Sequence, residues 1–329
     1  MNVAIIGCGL IGNKRAQYLK GGNLLCCVDK NLSRAQTLAA QTSGCKTLSC
    51  WKEVMIQPEI EIVIIATTHE MLSEICLAAV NAGKHVLIEK PAARTSKELE
   101  PIIDKIEKSK VVVKVGFNHR YHKAILKAYE LTKAGEIGEL MFIRGRYGHG
   151  GRFGYEKEWR SNPELSGGGE MIDKGMHLID LSRWFLGDFS EIEGFAHTYF
   201  WDRSVDDNGF ILLKTPLKQT AFLHASCTEW KNLFSFEIYG KKGKLDIQGL
   251  GGSYGVERLS YYKMLPHMGP PETSIWEYPM GDDSWQLEFS ALLDDIKNRR
   301  QANPGLKDAH AALKIVEKVA QGSGYAYHT

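Results

Sequence analysis

A short apolar run, Val3-Ala4-Ile5-Ile6, leads straight into Gly7-Cys8-Gly9-Leu10-Ile11-Gly12. Few folds tolerate that junction. The run suits a buried parallel strand. The helical stretch from Ile11 to about Lys20 must then start within one tight turn. Gly7 allows the turn, Gly9 lets a pyrophosphate approach the backbone, and Gly12 lets helix and strand pack closely. The helix start at Leu10 and Ile11 offers free N–H groups and positive potential to phosphates. A second apolar run, 24–28, ends at Asp29, roughly 20 residues further on, where a carboxylate accepts hydrogen bonds from an adenosine ribose. Together these pieces specify a βαβ dinucleotide site. Asp29 favours NAD, since it repels a 2′-phosphate. Lys30 and Arg34 stand near enough to leave NADP open, or are simply solvated helix charges.

The alternation continues. Residues 61–66 read as a strand ending at Thr67-Thr68-His69, and 71–81 as an amphipathic helix stopped by Gly83. Residues 85–88 form the next strand, which exits into Glu89-Lys90-Pro91. Pro91 pushes Lys90 towards extended backbone. An ammonium group is thereby placed at the carboxyl edge of the sheet, where open α/β sheets bind ligands. An ordinary strand exit is the plainer alternative. A helix over 96–108, with Ser96 as its N-cap, and a strand over 111–115 complete a doubly wound unit, residues 1–118.

After a helix at 124–133 the pattern changes to alternating runs at 140–147, 192–201, 210–214, 220–228 and 234–239, with turns such as Lys242-Gly243 between them. This is the pattern of an antiparallel sheet. Helices at 283–299 and 307–321 end the chain. The expected fold class is thus α/β plus α+β: an N-terminal Rossmann domain, 1–118, and a second domain, 119–329, for substrate and assembly, whose last helix is free to pack back on the first domain.

Within the second domain, Ser166-Gly167-Gly168-Gly169-Glu170-Met171-Ile172-Asp173-Lys174-Gly175-Met176-His177 is dense in chemistry. Asp173 and His177 stand four apart, so a helix puts them on one face. A carboxylate there can fix an imidazole tautomer and raise its basicity, which suits a general base. The same spacing also suits a surface or capping pair. Gly175 in mid-helix hints at close approach by cofactor or substrate. Just upstream, Tyr147, Tyr155, Trp159 and Arg160 suit sugar binding. Arg152, Lys157 and Arg160 suit a phosphate or carboxylate. A structured loop with solvated charges is the alternative.

The stretch 63–92, with its Ala-Gly-Lys-His-Val-Leu-Ile-Glu-Lys-Pro core, resembles the Gfo/Idh/MocA oxidoreductase family. So does Gly116-Phe117-Asn118-His119-Arg120-Tyr121-His122, which is similar to that family's domain junction, and 304–325 is similar to its closing helix. The resemblance implies an open, largely antiparallel second sheet whose outer face makes a homodimer or homotetramer. It places Lys90 at the nicotinamide and substrate, with Asp173 and His177 as its catalytic partners, as in the inositol dehydrogenase branch. It adds Thr67, Thr68, His69, Glu89, Lys90 and Asn118 to the cofactor contacts. The implied substrate set is Lys90, Tyr147, Arg152, Tyr155, Trp159, Arg160, Asp173 and His177. The implied reaction is hydride transfer between NAD and a secondary alcohol of a sugar or nucleotide-linked sugar. Relatives that hydrolyse glycosides by transient oxidation, or bind dinucleotide only to regulate transcription, leave two alternatives. One departure is visible: Thr67-Thr68-His69 and Leu72 replace the family's Thr-Pro-Asn and following His, so a contact near the nicotinamide differs.

Composition narrows the remainder. Forty-one Lys and Arg against 39 Asp and Glu give a net charge of +2, which argues for neither nucleic acid nor membrane binding. Seven cysteines without a C-x-x-C pair suggest reduced thiols, no metal site and a cytoplasmic setting. The N-terminus runs directly into the first strand without a leader pattern.

Overall fold

The computed structural model describes residues 1–325; positions 326–329 of the second domain lie outside the described residues. In the first domain β1 (Asn2–Ile6), α1 (Leu10–Gln17), β2 (Asn23–Val28), α2 (Leu32–Ala39), β3 (Lys46–Leu48), the short α3 (Lys52–Met55), β4 (Ile62–Ile65), α4 (His69–Asn81), β5 (His85–Ile88), α5 (Glu100–Ile106) and β6 (Val113–Val115) follow one another. The strands pair in parallel in the order β3-β2-β1-β4-β5-β6. The order reverses between β1 and β4, which opens a crevice at their carboxyl ends. Both faces are covered, so the strands read as unbroken apolar runs. Ala4, Ile6, Val63, Ile65, Val86 and Ile88 meet Leu72, Ile75 and Ala79 of α4 and Ile102 of α5. The alternate residues Val3, Ile5, Leu24, Ile62, Ile64 and Leu87 meet the other face.

The second domain runs through α6 (Lys123–Lys133), β7 (Leu140–Gly148), the short α7 (Pro163–Ser166), α8 (Met176–Leu186), β8 (Glu191–His197), β9 (Asn208–Lys214), β10 (Thr220–Ser226), β11 (Leu233–Gly240), β12 (Gly243–Gln248), β13 (Glu257–Lys263) and β14 (Glu272–Tyr278). The eight strands lie in the order β14-β13-β12-β11-β7-β10-β9-β8. Every pair is antiparallel except β10 with β7. The inner face, with Ile211, Leu223, Phe236, Ile247 and Leu259, packs with Leu178 and Leu181 of α8. The pleat turns Phe195, Leu212, Phe222 and Ile275 to the outer face, where they are exposed. No helix among the described residues is long and apolar enough to cross a membrane.

Several expectations need correction. The strand expected over 192–201 stops at His197. The Asp207 carboxylate accepts the N–H groups of Tyr199, Phe200 and Trp201 at 2.8–3.1 Å and curls the chain away from the ladder. Ser96 caps no helix; its N–H and hydroxyl donate to Glu317 at 2.5 and 2.8 Å. Glu317 lies on the last helix, α10 (Leu306–Gly322), which is thereby tied to the first domain. The preceding helix, α9 (Ser284–Lys297), lies far beyond residue 118 in sequence, yet Phe289 and Leu292 pack on the first sheet with Val3 and Ile5. Gly175 faces the second sheet, where a Cβ would meet Ala225 and Ile211 at 3.6 and 3.8 Å, and not the cleft.

Candidate active site

The glycine turn is built as its spacing requires. Gly7 has φ of 94°, and a Cβ there would sit 2.5 Å from the Ala66 carbonyl oxygen. A Cβ on Gly12 would run into the Gly7 carbonyl. Nothing crowds Gly9. Asp29 accepts the Cys8 and Asn31 N–H groups, both at 2.9 Å, through different oxygens, so its carboxylate is anchored beside the turn. A cavity of about 610 Å³ follows, lined by Gly7, Gly9, Leu10, Ile11, Asp29, Lys30, Arg34, Thr67 and Thr68, with Trp159 and Arg160 on its far wall. These residues fit a dinucleotide: a shallow glycine turn at a helix start, an anchored carboxylate, and a slot between β1 and β4.

The cavity meets a second cleft of about 380 Å³ between the domains. Thr67, His69, Glu89, Lys90 and Asn118 line it from the first domain and its junction. Tyr147, Trp159, Arg160, Asp173, Lys174 and His177 line it from the second. The Lys90-Pro91 peptide is cis. Lys90 Nζ donates to the Asp173 carbonyl oxygen at 2.8 Å and to Asp173 Oδ1. Lys174 Nζ donates to Asp173 Oδ2 at 2.7 Å, and Arg160 Nε lies 3.6 Å from the same oxygen. Three cations therefore surround one carboxylate. Burial opposes its charge, but Lys174, Lys90 and Arg160 outweigh that and hold Asp173 well below the usual carboxylate range. Burial pushes the Lys90 ammonium down, with Asp173 pulling the other way.

No hydrogen bond joins Asp173 to His177 among the described residues, contrary to the pairing expected from their spacing. Residues Met171–Gly175 form a π-helical turn before α8. That wider turn breaks the α-helical register and leaves the carboxylate to Lys90 and Lys174. His177 is held by stacking instead. Its ring lies 3.7 Å from the His119 ring, centroid to centroid, with Phe117 and Tyr147 edge-on at 5.9 and 6.0 Å. Its Nδ1 is buried without a partner among the described residues, which leaves Nε2 for the cleft. Burial, then Lys90, hold its pKa well below that of an ordinary histidine, so the ring is neutral at pH 7.

Other expected residues take different places. Glu89 reaches the cleft but is gripped by buried Arg15, whose Nε donates at 2.7 Å. Arg15 also donates to Glu288 at 2.5 Å, and burial, offset in part by Arg15, pushes Glu288 up to about 7. His69 is bonded through Nδ1 to the Ser166 carbonyl at 2.7 Å and lies edge-on to Trp159 at 4.8 Å. Asn118 donates to Ser284 at 2.9 Å. Arg152 and Tyr155 stay out of the cleft: Arg152 is exposed and pairs with Glu158 at 2.5 Å, while buried Tyr155 donates to Glu170 at 2.9 Å. Lys157 is exposed. Sequence reasoning missed Lys174, although it lies inside the segment singled out. It also missed the loop 250–254, whose glycines were a usable signal, and Asp282 and Trp285, which carried none.

Residues 1–117 match the oxidoreductase family with an NAD-binding Rossmann fold, and 125–246 match the GFO/IDH/MocA C-terminal domain. The chain belongs to the Gfo/Idh/MocA family. Among curated members, levoglucosan dehydrogenase of Pseudarthrobacter phenanthrenivorans is 32% identical over 169 residues, 51% of this chain and 43% of that protein. Inositol 2-dehydrogenase 2 of Saccharopolyspora erythraea is 29% identical over 203 residues, 60% of this chain and 57% of that one. These matches span about half the length of each relative. The fold extends further: a levoglucosan dehydrogenase structure in complex with NADH superposes with a TM-score of 0.89 at 22% identity, covering 98% of both chains. Residues 1–117 are therefore the NAD-binding Rossmann domain of a Gfo/Idh/MocA oxidoreductase, with the departure at 67–69 described above.

Proposed function

We propose that the protein is an NAD-dependent dehydrogenase acting on a secondary alcohol of a sugar or polyol. The carrying observation is the meeting of Lys90, from the first domain, with Asp173 and His177, from the second, in the cleft that continues the dinucleotide cavity. Bound NAD supplies the hydride acceptor. The chain's own residues do the rest. Lys90 hydrogen-bonds the substrate oxygen and stabilises its developing negative charge. His177, neutral and with Nε2 towards the cleft, takes the hydroxyl proton. The carbinol carbon loses its hydride, and the product is a ketone. Asp173 keeps Lys90 charged against the pull of burial and fixes its position through two acceptors. Trp159 lines both cavities and so stands at the junction of the cofactor and substrate ends.

Asp29 supports NAD over NADP as the preferred cofactor. The exposed Phe195, Leu212, Phe222 and Ile275 on the outer sheet face support assembly with further copies of the chain. A panel of sugars, polyols and UDP-sugars with NAD or NADP, followed by NADH absorbance, tests the reading. Glycoside hydrolysis without net NADH would replace it with transient-oxidation chemistry. Full biological activity in a Lys90/His177 double mutant would point to a regulator.

A further inference from the structure

The substrate end of the cleft is rich in donors and poor in negative charge. Lys14 faces Asp282 at 3.3 Å, and Glu89 is taken by Arg15. Glu158, 3.8 Å from Arg160, is taken by Arg152 at 2.5 Å, and Glu170 behind the wall faces Arg203 at 3.4 Å. With these pairs set aside, Lys90, Lys174 and Arg160 share the single carboxylate of Asp173. Around that carboxylate the cations outnumber the anion three to one, and oxidised NAD brings a further positive charge on its nicotinamide ring.

Lys174 is the residue that the hydride chemistry leaves without a task. Its side chain is 14% exposed, and its Nζ lies 5.5 Å from the centre of the Tyr147 ring. An ammonium has three donors, and one goes to Asp173. No other acceptor for it is found among the described residues. Burying an ammonium is costly unless charge and hydrogen bonds offset it. Burial opposes the charge, but Asp173, with Tyr147 and Glu170 behind it, outweighs burial and keeps the ammonium charged, so a full positive charge with two uncommitted donors lines the cleft, where an anionic ligand can take them. Lys90 and Lys174 hold opposite oxygens of that carboxylate, so their nitrogens lie roughly 5–7 Å apart, two hydrogen-bond lengths plus the carboxylate width. That span suits a hydroxyl on Lys90 and a carboxylate on Lys174, attached to carbons one or two positions apart.

We propose that Lys174, with Arg160 beside it, is an anion subsite, and that the substrate is a sugar or polyol acid whose carboxylate lies next to the oxidised carbinol. This deepens the dehydrogenase reading and rests on it. The carboxylate passes through unchanged: the alcohol becomes a ketone, NAD is reduced, and the proton goes to His177.

The test uses the NADH-loaded protein and its Lys174→Met and Lys174→Arg variants, with glucuronate and gluconate against glucose, inositol and glucose 6-phosphate. Binding is read from bound-NADH fluorescence and turnover from NADH formation. The wild type binds the carboxylates at least about tenfold more tightly than the neutral compounds, a difference near 1.4 kcal/mol. Lys174→Met removes that ratio, and Lys174→Arg restores part of it. Retained NADH affinity shows that the variants are folded. Equal affinity for neutral and acidic compounds, equal weakening of both by Lys174→Met, a preference for the phosphate, or no carboxylate binding overturns the proposal. A Lys174-dependent acid site with no oxidation of any compound leaves the subsite standing and sinks the dehydrogenase reading. Oxidation of neutral sugars without acid preference does the reverse.

Discussion

The two ends of the site are made of different material. The dinucleotide end is backbone: a glycine turn, helix-start N–H groups, and Asp29 anchored to the N–H groups of Cys8 and Asn31. The end we propose for the substrate is side chain: Lys90, Arg160, Asp173, Lys174 and His177, which line one cleft although Lys90 and Asp173 alone are 83 residues apart. A backbone site is written in one stretch of sequence and tolerates little there. A side-chain site tolerates replacement at each position, and that is where members of one family can differ. The departure at Thr67-Thr68-His69 lies where the two ends meet.

His177→Ala breaks the substrate end alone. Turnover falls by about 10²–10⁴, while the NADH dissociation constant shifts less than about twofold. Stopped-flow turnover with fluorescence titration measures both, and a parallel loss of NADH binding would dissolve the division between the ends. Gly12→Ala breaks the other end. Its Cβ runs into the Gly7 carbonyl, so the turn opens at a cost of about 1–3 kcal/mol and NADH binding weakens by roughly 10–100-fold. Calorimetry at unchanged fold by circular dichroism checks this.

A pH series sharpens the comparison, because the substrate end carries buried neutral histidines. His69 is pushed down to about 3, by burial and then by Lys90, and His119 and His177 are also held low. Their native pKa lies below the unfolded value, so the unfolded chain binds protons first. The stability linked to their neutrality is whole above the ordinary histidine pKa and is lost as pH falls towards the native value. His69 alone accounts for about 2 kcal/mol between pH 7.5 and pH 5. Urea denaturation at those two pH values reads the drop, and a His69→Gln protein should show a smaller one. The smallest effect belongs to Arg152→Ala. Its ion pair with Glu158 is on the surface, so kcat/KM changes less than about twofold in steady-state assays. A large change would return the loop to the substrate site.

Sequence reading reached different depths in different places. The first sheet was legible because each strand, buried on both faces, is a local apolar run followed by turn chemistry. The third strand, Lys46–Leu48, was missed: it is three residues long, half exposed, and carries no period. The strands Glu257–Lys263 and Glu272–Tyr278 were missed as well. Their polar outer faces and the separating loop mask the alternation, although Leu259 and Tyr261 face the core. The Asp173–His177 spacing marked a segment that lines the cleft but implied a hydrogen bond that is not there, since a π-helical turn is not visible in a count of four. Arg152 and Tyr155 had suitable chemistry, yet one points to solvent and the other into the wall behind the cleft.

What the chain determines by itself is local: the glycine turn after Ile6, the acid at Asp29, the lysine at the end of β5, and the apolar periods that build two sheets. Each depends on neighbours a few residues away, where backbone geometry leaves few choices. Tertiary structure decided what Lys90 meets. Only the packing of the two domains brings Asp173, Lys174 and His177 to it, because contacts across 80 or more residues are set by the sum of the core and not by any one stretch. The strand-to-helix junction at Gly7 named the cofactor end of the site. The charge surplus around one carboxylate, visible only in the folded chain, points to what the other end takes.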